Sequence, residues 1–228
     1  MTNPESPERP IPLPDTERPL IIFGFGGSAT RLAAQIAEKC GYRMGPYHPD
    51  TYDWKPLFTW DFDPYKLRGL AQDCRWGFKN PWGIVYLKFL HLTFPSGRFW
   101  YITRDGRDMA YSRNRGIFNK LSEIHGFTGE RNKRFAQAQV WAKLSGEALD
   151  FAEKYGLNYH VTRMESLLKK EGVEGGLWEF LDAKPCDWES LVQGNGGSVG
   201  RWEGKPMAER QAIAIHVRDV NRRLGYVV

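Results

Sequence analysis

The chain has 228 residues, 41% of them hydrophobic and 26% charged, which is enough for one substantial α/β domain and too little for two with independent cores. No apolar stretch approaches the roughly twenty residues of a membrane span, and no basic segment followed by an apolar one opens the chain as a secretory signal would. A net charge of +5 and a pI near 9.1 point to an anionic partner.

Residues 1–18 hold five prolines and no apolar periodicity, so the expectation is a flexible leader before one domain over 19–228. Leu20 to Phe23 then form an apolar run suited to a buried strand. Gly24-Phe25-Gly26-Gly27-Ser28-Ala29-Thr30-Arg31 follows, a loop of mostly small residues that lets an anion approach the backbone. Leu32, Ala33, Ile36, Ala37 and Cys40 recur at helical spacing, with Gly41 as the stop. Strand, glycine-rich turn and helix N-terminus together make a nest of backbone N–H groups where phosphate binds.

Tyr42 to Met44 is a second short strand in this reading. The stretch 46–64 mixes Pro and Asp with Trp54, Phe58, Trp60 and Phe62, the composition of a pocket wall; His48, Asp50 and Asp53 fall within it. A helix is expected through Leu67, Leu70 and Ala71. Arg75 to Pro81 reads as a strand with Lys79 at its carboxyl end, and Ile84, Leu87, Leu90 and Phe94 mark one helix closed by Pro95 and Gly97.

Phe99 to Thr103 is the clearest further core strand, running into Arg104-Asp105-Gly106-Arg107-Asp108 and a helix through Met109, Tyr111 and Ser112. Arg107 and Asp108 read as surface or helix N-terminal residues. A long amphipathic helix spans 130–155, with Phe135, Ala138, Trp141, Ala148, Phe151 and Ala152 on one side. Asn158 to Thr162 is a strand, 164–170 and 173–181 are short helices, and a glycine-rich loop ends in Ser198-Val199-Gly200-Arg201-Trp202. Pro206 opens a last helix carrying Ile213, Val217, Val220 and Leu224 inward. Strands alternating with helices predict an α/β three-layer sandwich, with a central, mostly parallel sheet and a phosphate-binding loop after the first strand, as in nucleotide kinases.

The basic residues occur singly at strand ends and in loops, as with Lys79, Arg104 and Arg201, which suits a compact polyphosphate-like ligand better than a nucleic-acid backbone. Cys40, Cys74 and Cys186 are odd in number, far apart and without metal-ligand spacing. They read as reduced thiols of a cytoplasmic protein that needs no metal.

Four separated stretches resemble the sulfotransferases that use 3′-phosphoadenosine 5′-phosphosulfate. Gly24 to Arg31 looks like their 5′-phosphosulfate loop, the Thr30-Arg31 ending being similar to that of the carbohydrate-modifying branch. Trp76 to Pro81 resembles their Lys-x-Pro element. Phe94-Pro95 through Ser112 looks like their 3′-phosphate element, where a strand-end arginine and a following serine hold one phosphate; 198–202 is similar to the loop that closes over it. The resemblance implies that Gly24, Gly26, Gly27, Ser28, Ala29, Thr30 and Arg31 cradle the 5′ end of the donor while Arg104, Ser112 and Arg201 hold its 3′-phosphate. It implies a small-molecule or carbohydrate acceptor with a hydroxyl or amine, and neither nucleic acid nor membrane as partner.

Such a donor carries anionic groups at both ends of a nucleoside, so two cradles and a cation at the breaking bond are what the chemistry asks for. Lys79 is the candidate for that cation. Two departures from the family stand out: Gly27 replaces a usual Lys or Arg, and Pro81 occupies the place of a catalytic His found in many cytosolic members. The general base is therefore sought at Asp53, with His48 and Asp50 behind it. Glu165 matches an acidic residue of the family, but Met164 replaces the tyrosine before it. Trp76 and Trp202 either stack on a base or pack a core.

Two other readings stay open. A nucleotide or small-molecule kinase shares this kind of sheet, although the loop lacks the lysine that contacts β and γ phosphates. A non-catalytic nucleotide- or nucleic-acid-binding protein is the second.

Overall fold

In the computed structural model, which describes residues 18–45, 75–112, 115–127, 133–170, 175–192 and 199–227, the chain follows its alternating pattern. In order it makes β1 (Leu20–Gly24), α1 (Thr30–Lys39), β2 (Arg43–Met44), β3 (Trp76–Lys79), a 3-10 turn (Pro81–Ile84), α2 (Leu87–Thr93), β4 (Arg98–Thr103) and α3 (Gly106–Ala110). There follow α4 (Arg115–Ile124), α5 (Lys133–Tyr155), β5 (Tyr159–Arg163), α6 (Met164–Lys169), α7 (Leu177–Phe180), a second 3-10 turn (Glu189–Leu191) and α8 (Met207–Arg223). The strands form one sheet in the order β2-β3-β1-β4-β5, every neighbouring pair parallel.

Strands covered on both faces need apolar side chains at every position, which is why β1 and β4 read as continuous runs. Leu20, Ile22, Trp100 and Ile102 pack on one face against α1, Leu167 of α6 and Leu177 of α7. Ile21, Phe23, Phe99 and Tyr101 pack on the other against Leu87 and Leu90 of α2, Met109 of α3, α5 and α8. This is the three-layer α/β sandwich that the alternation predicts. Polar anchors join neighbouring elements: Trp100 Nε1 donates to Thr162 Oγ1 at 2.9 Å between β4 and β5, and the Tyr101 hydroxyl lies 2.8 Å from Ser145 Oγ of α5. Burial pushes that phenol up to about 12.

Several elements differ from the sequence expectation. The single helix through Ile84 and Phe94 is two pieces, because the Asn80 side chain accepts from Trp82 N at 2.8 Å and Pro81 starts a tight 3-10 turn before α2. The helix expected to run through Ser112 stops at Ala110, where Tyr111 N and Ser112 N turn back to Asp108 O and Met109 O. Helix α4 was not expected, and of the expected helix over 173–181 the described residues 175–181 are helical only over α7. Helix α5 buries Gln137, Val140, Leu144 and Ser145 as well as Ala138 and Trp141, since α3, α4 and α8 all pack on it. On α8, Pro206 stands just before the first helical residue, with Ile213 and Val217 buried as expected. The leader and the helix near Leu67 lie outside the described residues. Among the described residues no helix is long and apolar enough to cross a membrane.

Candidate functional site

The chain leaves β1 toward β2 and β3, then crosses to β4 on the opposite side of β1. The carboxyl ends of β3, β1 and β4 therefore sit side by side where the winding reverses, the place where such sheets bind ligands. Register makes this concrete: Ile22 pairs with Lys79 and Gly24 with Ile102, so Lys79, the loop after Gly24 and Arg104 emerge at one edge.

The loop is shaped by what its glycines allow. Gly24 has φ +152°, and a Cβ there would lie 2.2 Å from the Ile102 carbonyl oxygen, so β1 can lie this close to β4 only as glycine. Gly27, at φ +92°, is exposed, and a Cβ on it would meet Ser112 Oγ at 3.4 Å. Phe25 is buried and stacks on Phe118 with centroids 5.2 Å apart, and Ser28 N donates to Phe25 O at 3.1 Å. These contacts hold the loop as a turn. Ala29, at φ 60°, leads into α1, whose first turn has neither a side-chain cap nor an acidic residue. The leading amides of α1 and the positive end of its dipole are therefore left to a ligand by the helix's own first turn. Thr30 is buried at the helix start, Gly26 is half-buried and Arg31 is exposed. Ser28 is turned inward, its hydroxyl donating to Met109 Sδ at 3.8 Å.

Arg104 continues β4 and is 2% exposed. Its Nη1 donates to the Gly27 carbonyl at 3.4 Å, and Nη2 lies 3.6 Å from Asp108 Oδ2. Burial pulls its pKa down, against the pull of Asp108 and Glu165, and Arg201 adds to the lowering. Ser112 is buried beside Gly27. The structure thus brings Gly27, Arg104 and Ser112 together, and Arg201 lies on a loop whose Gly200 and Trp202 amides are tied to the turn after Arg104.

Of the two places the sequence allowed Asp108, surface or helix N-terminus, the structure gives the second: it lies in the first turn of α3 but is 1% exposed, and it accepts from Gly200 N at 2.8 Å and Trp202 N at 3.3 Å. Burial raises its pKa, opposed by Arg104 and by those amides. One carboxylate therefore both faces Arg104 and pins the loop that carries Arg201. Arg107 is half-buried and helps to hold the same loop. Its guanidinium, paired with Asp105 (Nη2 to Oδ2, 2.6 Å), stacks over the Trp202 ring at 4.0 Å. Arg210 approaches that ring at 5.2 Å.

A second network fixes the backbone after Arg104. Asn221 of α8, fully buried, donates from Nδ2 to Asp105 Oδ1 at 2.9 Å and accepts from Gly106 N at 3.0 Å. Glu165 accepts from Asp105 N at 3.0 Å and from the Tyr226 hydroxyl at 2.9 Å. Burial raises the pKa of Glu165 and holds Tyr226 well above the ordinary phenol range. Glu165 thus braces the turn that aims Arg104. Asp108 and Asn221 are the residues sequence reasoning missed, and only the spacing of Arg104 and Asp108, one helical turn apart, hinted at the first.

Lys79 is 4% exposed, at the end of a strand whose next residue, Asn80, donates its amide to Ile22 O at 2.9 Å. It is a buried residue at the carboxyl end of β3. Trp76 belongs to the core, packed on Phe78 and Phe94. Asp53, His48 and Asp50 lie outside the described residues, as do the aromatic residues near them. Among the described residues no group of three or more His, Cys, Asp and Glu side chains could hold a metal ion.

Neither a protein-family model nor a curated protein matches the sequence. Solved structures do. The sulfotransferase domain from the curacin biosynthetic pathway superposes with a TM-score of 0.54 at 13% identity, covering 93% of this chain and 99% of that one. The sulfotransferase STF9 from Mycobacterium avium gives 0.51 at 11% identity, covering 93% of this chain and 78% of that one. The class is defined at the level of fold: a parallel α/β protein with the architecture of sulfotransferase domains.

Proposed function

We propose that the chain transfers a sulfuryl group from 3′-phosphoadenosine 5′-phosphosulfate to a hydroxyl or amine of a small-molecule or carbohydrate acceptor. The observation that carries this reading is the contact of the buried Arg104 with the Gly27 carbonyl, which sets a fixed cation against the glycine loop at the reversal point of the sheet. A phosphosulfate fits the loop because Gly27 is exposed and carries no side chain and the first turn of α1 has no side-chain cap. Arg104, Ser112 and Arg201 supply charge and hydroxyl for the 3′-phosphate, with the 199–204 turn closing over them.

Transfer breaks the bond between sulfur and the oxygen bridging to phosphorus and forms one from sulfur to the acceptor atom. Negative charge grows on the bridging oxygen, and Lys79, at the carboxyl end of β3, stabilises it; Arg31, on the exposed side of α1, is the second cation in reach of the loop. A base takes the acceptor's proton as the new bond forms, and Asp53 and His48 are the proposed candidates on sequence alone. The test is thermal: 3′-phosphoadenosine 5′-phosphate should raise the melting temperature by several degrees and ATP by little, because only the first fills both cradles. Equal shifts would favour the kinase reading.

A further inference from the structure

On the opposite end of α1 from the loop, two cysteines far apart in sequence meet. Cys40 Sγ lies 3.9 Å from Cys186 Sγ, although 146 residues separate them. We propose that Cys40 and Cys186 are a reversible disulfide pair, a redox modification site that ties the end of α1 to the segment 181–192. This inference does not rest on the transferase reading.

The geometry favours it on both flanks. Lys39 Nζ, one residue before Cys40, donates to the Asp187 carbonyl at 2.7 Å and to Ser190 Oγ at 3.1 Å. On the other side the Tyr42 hydroxyl donates to the Leu181 carbonyl at 3.1 Å. Cys40 N is bonded back to Ile36 O, and Trp188 N to Cys186 O, with the Trp188 ring buried as an anchor. Both backbones are therefore held across from each other before any bond forms. A disulfide needs its sulfurs at about 2.05 Å, so the pair, now at 3.9 Å, has a short distance left to close.

The two thiols have unequal roles. Cys40 is buried, and burial, then the neighbouring Cys186, push its thiol up to about 12. Cys186 is half-buried and meets an oxidant first. With hydrogen peroxide, the Cys186 sulfur attacks one oxygen, the O–O bond breaks, water leaves and a sulfenic acid remains. The Cys40 sulfur then attacks the Cys186 sulfur; the S–O bond breaks, and the hydroxide departs with the Cys40 proton as a second water. Two thiols lose two electrons and two protons to one hydrogen peroxide. A dithiol reductant reverses the bond.

Closing so long a loop constrains the unfolded chain strongly, so the oxidised protein should melt about 5 °C or more above the reduced one. The full chain would be treated with hydrogen peroxide, alkylated, digested without reductant and weighed. The expected result is a linked pair of peptides bearing Cys40 and Cys186, with a melting shift reversed by dithiothreitol, kept in Cys74→Ser and lost in Cys186→Ser. If Cys40→Ser misfolds, the half-buried Cys186→Ser still carries the test. Cys186 ending as a sulfinic acid beside an alkylated Cys40, or a bridge to Cys74, would overturn the proposal.

Discussion

The carboxylate of Asp108 accepts a hydrogen bond from the backbone amide of Gly200 at 2.8 Å, joining the turn after β4 to a loop 92 residues later. The same carboxylate faces Arg104 and also takes the Trp202 amide. One buried group thus touches both the loop and the cation.

Asp108→Ala should therefore free the loop and leave Arg104 without its carboxylate. Removing one partner of a buried charged pair costs about 3–5 kcal/mol, which urea unfolding would measure. Hydrogen exchange at the Gly200 and Trp202 amides should quicken as well. Unchanged exchange there would mean that the loop is held by Arg107 stacking on Trp202 instead.

Gly24→Ala tests the approach of β1 to β4. A methyl group 2.2 Å from the Ile102 oxygen must push the strands apart at the sheet's centre, with a loss of roughly 3 kcal/mol or more in stability. A melting temperature equal to wild type would show that the loop relaxes freely.

Binding and chemistry should separate at Arg104 and Lys79. Arg104→Ala should weaken the nucleotide by about 1.5–3 kcal/mol, the scale of a hydrogen bond to a charged group, with part of the rate recovered at high donor concentration. Lys79→Ala should leave donor affinity near wild type while kcat falls on the order of a hundredfold. Steady-state kinetics on both variants, each measured well below its own melting transition, decides this. Near-normal turnover of Lys79→Ala at saturating donor would move the role to Arg31.

Glu165 gives stability a pH dependence. Burial holds its pKa above the ordinary 4.5, so the folded chain keeps the proton more tightly than the unfolded chain. Stability contributed by this group then falls as pH rises from 4.5 through the raised value. Asp108 acts in the same direction from 3.8 upward. Glu165→Gln keeps an acceptor for Asp105 N and removes the ionisation, so its melting temperature should vary less across that window. An identical slope in variant and wild type would assign the effect to Asp108 alone.

What could be read from the sequence follows a physical division. Strands β1, β3 and β4 were legible because burial within the sheet demands apolar runs, and Lys79 and Arg104 stood out as polar residues at their ends; β5, at the sheet's edge with only Thr162 buried, was legible through the strand-forming Tyr159, Val161 and Thr162. The loop was legible through its glycines. Asp108 was not, since its partners are backbone amides, which leave no mark on residue type. Nor was the approach of Cys40 to Cys186: spacing along the chain suggested unrelated thiols, and only the packing of α1 against 181–192 joins them. The tight turn at Pro81 was hidden because Ile84, Leu87 and Leu90 also fit one helical stripe.

The most direct measurement is the ratio of two affinities, taken by titration calorimetry in wild type and in Arg104→Ala. In wild type, 3′-phosphoadenosine 5′-phosphate should bind at least tenfold more tightly than AMP, which lacks the 3′-phosphate, and in Arg104→Ala that ratio should collapse toward one, since each charged hydrogen bond is worth about 1.5–3 kcal/mol. A ratio near one in the wild type, or a ratio unchanged in the variant, would contradict the assignment of Arg104 to the 3′-phosphate.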